Sequence, residues 1–202
     1  TPGSGWAKDS VEVESYVRGF ARRRPDVSVT TLRFANFLGP RVESPMSSYF
    51  ELPVIPTLLG HDARLQFIHE DDGLEALRQA TIDEHPGMFN VAGDGIILLT
   101  QAARRAGRPT NSLPAISAGL VGAIIRRLGL ADFSPEQVRF LTYGRGVDTP
   151  RMRTVFGFTP QHTTPETFDA FVKSRRLNRM LPPERVEAVE DQLVALLTGG
   201  VS

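Results

Sequence analysis

Apolar residues first recur at helical spacing. Val13, Tyr16, Val17, Phe20 and Ala21 fall at i, i+3, i+4, i+7 and i+8, which predicts an amphipathic helix from about Trp6 to Arg24 with this stripe turned inward. Arg22, Arg23 and Arg24 close its last turn, where cations suit the helix dipole. Pro25-Asp26 breaks the helix, and the pattern turns to β. Ser28 to Phe34 is apolar and β-branched, interrupted by polar Thr30, Thr31 and Arg33; Asn36 stands at its end and Gly39-Pro40 turns the chain. Helix followed by strand is half of an α/β unit.

The later pattern repeats this alternation. Pro45 to Leu59 reads as loop with a short helix, and Leu65 to Ile68 as a short strand. His69-Glu-Asp-Asp72 starts a helix, with Asp72 as N-cap, Glu75 as its capping-box partner, and Leu74, Ala76, Leu77 and Ala80 inward. Gly87 to Ala92 is a further strand, and Leu98 to Arg105 a helix stopped by Gly107. Pro114 to Leu130 is a largely apolar helix, and Ser134-Pro-Glu-Gln137 and Thr164-Pro-Glu166 open two more. Val186, Val189, Leu193, Leu196 and Leu197 form the stripe of a last helix. The fold class is therefore α/β in the first half and mainly helical in the second.

Composition narrows the function classes. The chain has 202 residues, 41% hydrophobic and 23% charged, with Lys+Arg and Asp+Glu both 23 and no net charge. No basic footprint points to nucleic acid and no polybasic segment to a membrane surface. The absence of cysteine excludes disulfides and thiolate chemistry and fits a cytoplasmic protein. The longest apolar stretch, Ala115 to Leu130, is broken by Gly119, Gly122, Arg126 and Arg127, too interrupted for a membrane span. The chain opens on Thr1-Pro-Gly-Ser-Gly, without a signal peptide, and is expected to be a fragment or a truncated relative of something longer. His61, His69, His85 and His162 show no metal-ligand spacing.

Four segments stand in a meaningful order: Trp6-Ala-Lys-Asp-Ser-Val-Glu-Val-Glu14, Leu32-Arg-Phe-Ala-Asn-Phe-Leu-Gly-Pro40, Leu65-Gln-Phe-Ile-His-Glu-Asp-Asp72 and Met88-Phe-Asn-Val-Ala-Gly93. Val147 to Pro160 follows, with Val155-Phe-Gly-Phe158 near its end. This order resembles the carboxyl-terminal part of the extended short-chain dehydrogenase/reductase family, the NAD-dependent sugar-nucleotide epimerases and dehydratases, as an atypical member. The resemblance covers most of residues 5 to 172. It implies an incomplete Rossmann-like parallel sheet carrying the later strands, plus a small, mainly helical substrate-binding lobe. Residues 1–44 would be the later part of the Rossmann-like domain. Residues 45–172 would be mixed, with 65–92 partly rejoining the sheet and the remainder forming the lobe, and 173–202 a helical tail.

The resemblance also implies a site. In the family a Tyr passes the proton while hydride moves to or from nicotinamide, and a Lys lowers the Tyr pKa. With Glu14 set on the family Glu, Trp6 takes the Tyr place and Ser10 the Lys place. Indole N–H is a donor only, and a hydroxyl carries no charge. A second register puts Ser4 and Lys8 there instead. Asn36 and Phe34 are the implied cofactor contacts, and Asn36, Arg41 and Arg64 the substrate contacts. Leu65 holds the place of a family Arg, and Arg64 stands one residue earlier on the opposite face. The Gly-rich dinucleotide loop is absent; Gly3-Ser-Gly5 and Gly93-Asp-Gly95 read as turns.

The implied function is thus part of an NAD- or NADP-dependent epimerase/dehydratase-like oxidoreductase, without activity as this chain and not expected to hold the dinucleotide tightly alone. The rival reading is a non-catalytic nucleotide-binding or scaffold protein of the same fold. A small-molecule substrate of nucleotide-sugar type and a homodimer through the first helix are implied, and no metal.

Overall fold

The structure, a computed structural model, describes residues 6–113 and 135–177. Helix α1 (Trp6–Arg23) leads through a turn into strand β1 (Thr30–Phe34), which pairs in parallel with β6 (Gly87–Val91), Leu32 opposite Phe89. After Ala35, whose amide still donates to the Val91 carbonyl at 2.8 Å, the same segment continues as β2 (Asn36–Leu38) and changes partner. It now runs parallel to β5 (Phe67–His69), with Asn36 opposite Phe67 and Leu38 opposite His69. The strand predicted to stop at Asn36 therefore bends and goes on, because a second neighbour offers hydrogen bonds where the first runs out.

Between these strands lie α2 (Pro45–Glu51) and two strands that pair elsewhere, β3 (Ile55–Leu58) and β4 (Arg64–Leu65). Helix α3 (Glu70–Ile82) follows β5. Then β7 (Ile97–Leu98) pairs antiparallel with β4; α4 (Leu99–Arg105) leads to β8 (Thr110–Leu113), which pairs in parallel with β3. Helices α5 (Pro135–Tyr143), α6 (Pro150–Thr154) and α7 (Thr164–Arg175) complete the described residues. The predicted helices over Pro114 to Leu130 and Val186 to Leu197 lie outside them. Among the described residues, no helix is long and apolar enough to cross a membrane.

Strand β5 shows how the core is divided. Phe67 and Ile68 are both fully buried, and adjacent strand residues face opposite ways. Phe67 joins a cluster with Leu38, Tyr49, Phe50, Leu65, Phe168 and Phe171; Ile68 joins one with Ala76, Phe89, Val91, Met152 and Phe156. Coverage on both faces is what a parallel strand needs. Phe168 is the hinge of the first cluster. Its ring meets Phe50 edge-on at 4.9 Å and stacks over Phe67 at 6.1 Å.

Several predicted details change. Helix α3 is capped by His69, whose Nδ1 accepts from the Asp71 amide at 3.2 Å, rather than by Asp72, and Glu75 binds Arg78 instead of closing a box. The face of α3 turned inward is Gly73 and Ala76; Leu74 and Leu77 are exposed. A Cβ on Gly73 would lie 2.0 Å from the Phe37 ring, so close approach selects the small residues. Helix α7 is capped by Thr163, one residue before the expected position, with Glu166 closing the box. On α1 only the later part of the stripe, Val17, Phe20 and Ala21, is half-buried; Val13 and Tyr16 are 62% and 70% exposed.

Candidate functional site

The carboxyl ends of β1, β2 and β5 are where an open parallel sheet presents ligand-facing groups. Helix α1 leads into β1. It is tied to β1 by an ion pair in which both Glu14 oxygens accept from Arg33, Nε to Oε1 at 2.7 Å. Hydrogen bonding to Arg33 holds the Glu14 carboxyl below the usual range and raises the guanidinium, each against a small opposing effect of burial. From Glu14, Ser10 lies about 6 Å and Trp6 about 12 Å up the helix axis. From Arg33, Asn36 lies about 10 Å along the strand. Trp6 and Ser10 thus precede Glu14 on the helix, and Asn36 follows Arg33 on the strand segment.

The individual side chains divide. Asn36 is exposed and its carboxamide has no hydrogen bond among the described residues, so it is free to meet a ligand and does not cap the strand. Phe34 is half-buried against Phe37, ring centroids 4.9 Å apart. Ser10 is engaged within the protein. Lys8 is spent on Glu12 at 3.7 Å on the outer face of α1. Ser4 lies outside the described residues.

Arg41 is exposed and ion-paired within the chain. Its Nε donates to Glu70 at 3.0 Å, its Nη2 to Asp71 at 2.6 Å, and its backbone amide to Glu70. Glu70 is buried beside Gly39, where a Cβ would lie 2.9 Å from its carboxyl carbon. The Gly-Pro turn thus makes room for a carboxylate that neutralises Arg41. Arg64 is exposed on β4, with Leu65 inward; its backbone bridges to Gly144 and accepts from the Arg145 amide at 2.8 Å. The structure keeps Phe34 and Asn36 on one segment and leaves Arg64 on a separate strand pair.

Three groups at this end escaped the sequence. Gln66 is buried between β4 and β5; its Nε2 donates to the Gly93 carbonyl at 3.1 Å and its Oε1 accepts from the Val147 amide at 2.8 Å. Asp72 is buried and accepts the amides of Gln161 at 2.9 Å and His162 at 3.0 Å, tying the turn before α7 to the start of α3. His69 and His162 stack, centroids 4.0 Å apart. A polar residue inside a short apolar strand was the only local signal for Gln66; the other two depend on a segment about 90 residues away that no local spacing reveals. No cluster of His, Asp or Glu suited to a metal occurs among the described residues.

This geometry is a Rossmann-like α/β arrangement. No protein-family model matches the chain. It is 42% identical over 192 residues to proteins of Mycobacterium tuberculosis and Mycobacterium bovis that are named only as uncharacterized, covering 95% of this chain and 51% of theirs. The chain thus spans about half the length of the curated relatives it matches. Solved structures share the fold at low identity. The dTDP-glucose 4,6-dehydratase of Bacillus anthracis in complex with NAD superposes with a TM-score of 0.62 at 12% identity, over 89% of this chain and 54% of that one. The UDP-glucose 4-epimerase of Thermus thermophilus in complex with NAD gives 0.61 at 17% identity, over 87% and 55%. The UDP-glucose 4-epimerase of Thermotoga maritima with UDP-glucose gives 0.57 at 16% identity, over 82% and 51%. The chain therefore carries about half of the fold of sugar-nucleotide epimerases and dehydratases.

Proposed function

We propose that this chain is the carboxyl-terminal part of an atypical NAD- or NADP-dependent nucleoside-diphosphate-sugar epimerase/dehydratase-like protein of the extended short-chain dehydrogenase/reductase family, and that it does not turn over substrate by itself. The observation that carries this reading is the parallel pairing of Asn36–Leu38 with Phe67–His69, which sets the free Asn36 where the segment passes from β1 to β2. In this reading Asn36 and Phe34 border the nicotinamide. Asn36 serves the substrate, and Arg41 only orders the turn beneath it. Dinucleotide chemistry, hydride transfer to or from a sugar carbon, is supplied by the cofactor when bound. The residues of this chain orient the ligand and exclude water.

A second reading is favoured by Trp6 and Ser10. Trp6 stands at the proton-transfer position and has only an N–H to donate; Ser10 has no charge with which to shift a neighbour. Lys8, the other candidate cation, is paired with Glu12. A non-catalytic nucleotide-binding or scaffold protein of the same fold accounts for these replacements. A homodimer through the exposed Val13 and Tyr16 of α1 is compatible with both readings.

Calorimetric titration of NAD, NADP and UDP-glucose into the full-length gene product separates them. Dinucleotide binding weakened by Asn36→Ala is the expected result. The Trp6→Tyr/Ser10→Lys double variant should then reduce bound dinucleotide, seen as nicotinamide absorbance when the sugar nucleotide is added. No dinucleotide binding to the full-length product overturns the first reading and leaves the scaffold.

A further inference from the structure

We propose that His69 is a proton-sensitive cap which releases the 159–163 turn from helix α3 when its Nδ1 is protonated. The argument begins with the tautomer. Nδ1 of His69 accepts from the Asp71 amide at 3.2 Å and so carries a lone pair; the ring proton is on Nε2. The only place a second proton can land is the atom that caps the helix. His162 differs. Its Nδ1 faces the Asp72 carboxylate at 3.0 Å, and since a carboxylate only accepts, this ring nitrogen donates.

The rings then couple the two residues. They stack at 4.0 Å, 20° from parallel, and a cation on His69 lies face to face with the ring of His162. Burial, and next the charge of His162, hold His69 below the ordinary histidine value, against opposing pulls from Asp71, Asp72 and Glu70. Of these groups, Glu70 and the Oδ1 of Asp71 are held by Arg41 and Asp72 serves the turn, while the Oδ2 of Asp71 faces Nδ1 at 3.6 Å. The other charges at this junction are Glu166, bound to Thr163, and Asp94, paired with Arg153 at 2.5 Å; the Asp94 carbonyl accepts the Thr164 amide. With the folded value lowered, the stability at stake is intact above about pH 6.5 and is lost as pH falls from there through the folded value. Losing the cap frees the Asp71 amide and loosens the first turn of α3, which carries Asp72 and hence the Gln161 and His162 amides.

The test is hydrogen exchange of the Gln161 and His162 amides between pH 7.5 and 5.5, corrected for intrinsic rates, alongside nitrogen NMR of the imidazoles. Protection of both amides is expected to fall on the order of tenfold on acidification. The His69→Asn variant, whose carboxamide caps without titrating, is expected to stay protected. A His69 found with its proton on Nδ1 at pH 7.5 overturns the proposal in the native protein alone, whether or not the variant folds. Equal loss of protection in His69→Asn and the native protein overturns it as well.

Discussion

The docking of α7 on β5 and the docking of α1 on β1 solve the same problem, a helix on a parallel strand, and they differ in almost every term. Phe168 and Phe171 of α7 are fully buried between Phe50, Phe67 and Leu38. The buried Thr164 hydroxyl accepts from the Phe67 amide at 3.3 Å and donates to the Gly93 carbonyl at 3.2 Å. Gly93 is pressed so closely that a Cβ would lie 2.9 Å from the carbonyls of His162 and Phe67. By contrast, α1 is held chiefly by the partly exposed Glu14–Arg33 pair. An open apolar groove of about 380 Å³, lined by Val17, Ala21, Val29 and Thr31 among others, runs beside it. No residue of β1 is fully buried, and no strand pairs its other edge among the described residues. Apolar sequence on both sides produces a closed core where a partner surface is present and a half-open one where it is not.

The contrast can be broken from the strong side first. Phe168→Ala is expected to cost about 3–5 kcal/mol, because it empties a site walled by Phe50, Phe67 and Phe171; a urea midpoint close to native refutes the described core. Gly144→Ala comes next. Its φ is +71° and a Cβ would lie 2.2 Å from the Arg64 backbone, so overpacking should cost about 1–3 kcal/mol, plus about 1 for the left-handed backbone, read from the same curves. Gln66→Leu leaves the Val147 amide without a partner and the Gly93 carbonyl with the Thr164 hydroxyl alone, about 1–3 kcal/mol, and faster exchange at Val147 is its specific mark.

The weak side predicts small numbers. Glu14→Gln should cost only about 0.2–1 kcal/mol, since both partners are reached by solvent. Its sign is fixed by the lowered carboxyl: the contribution is present above the unfolded value near pH 4.5 and is lost as pH falls through the folded one, so native and variant curves converge in acid. Tyr16→Ser should change unfolding by less than about 0.5 kcal/mol. If the exposed α1 face joins two copies, the same change shifts sedimentation toward monomer; identical sedimentation of both proteins removes the homodimer from the proposal.

Legibility followed the same divide. Helix α1, strand β1, strand β6 and the Pro-led starts of α5 and α7 were readable because periodicity and capping chemistry are local. The order of motifs around Leu32–Pro40 and Leu65–Asp72 was also readable, and the fold it implied is the one observed. The side-chain assignments fared less evenly. Arg33 was a polar interruption whose partner, Glu14, lies 19 residues back. Arg41 resembled a free cation until Glu70 and Asp71 were placed against it. Leu74 and Leu77 were assigned inward by spacing, but the Phe37 ring admits only Gly73 at that contact.

By itself the sequence determined the helices with a clear repeat or cap and strands β1 and β6, because these follow from repeats of two and 3.6 along one chain, while β3 and β8 were not legible. It also determined that Trp6 and Ser10, set by the resemblance at the Tyr and Lys places, bring no ionisable group in any conformation. Only the tertiary structure decided what stands opposite each face. It made the β1–β2 segment change partners at Ala35, put a histidine instead of a carboxylate at the head of α3, and left Asn36 unpaired while pairing Arg41 with Glu70 and Asp71. Those choices rest on contacts between residues far apart in the chain, where free energy depends on the partner supplied and local pattern is silent.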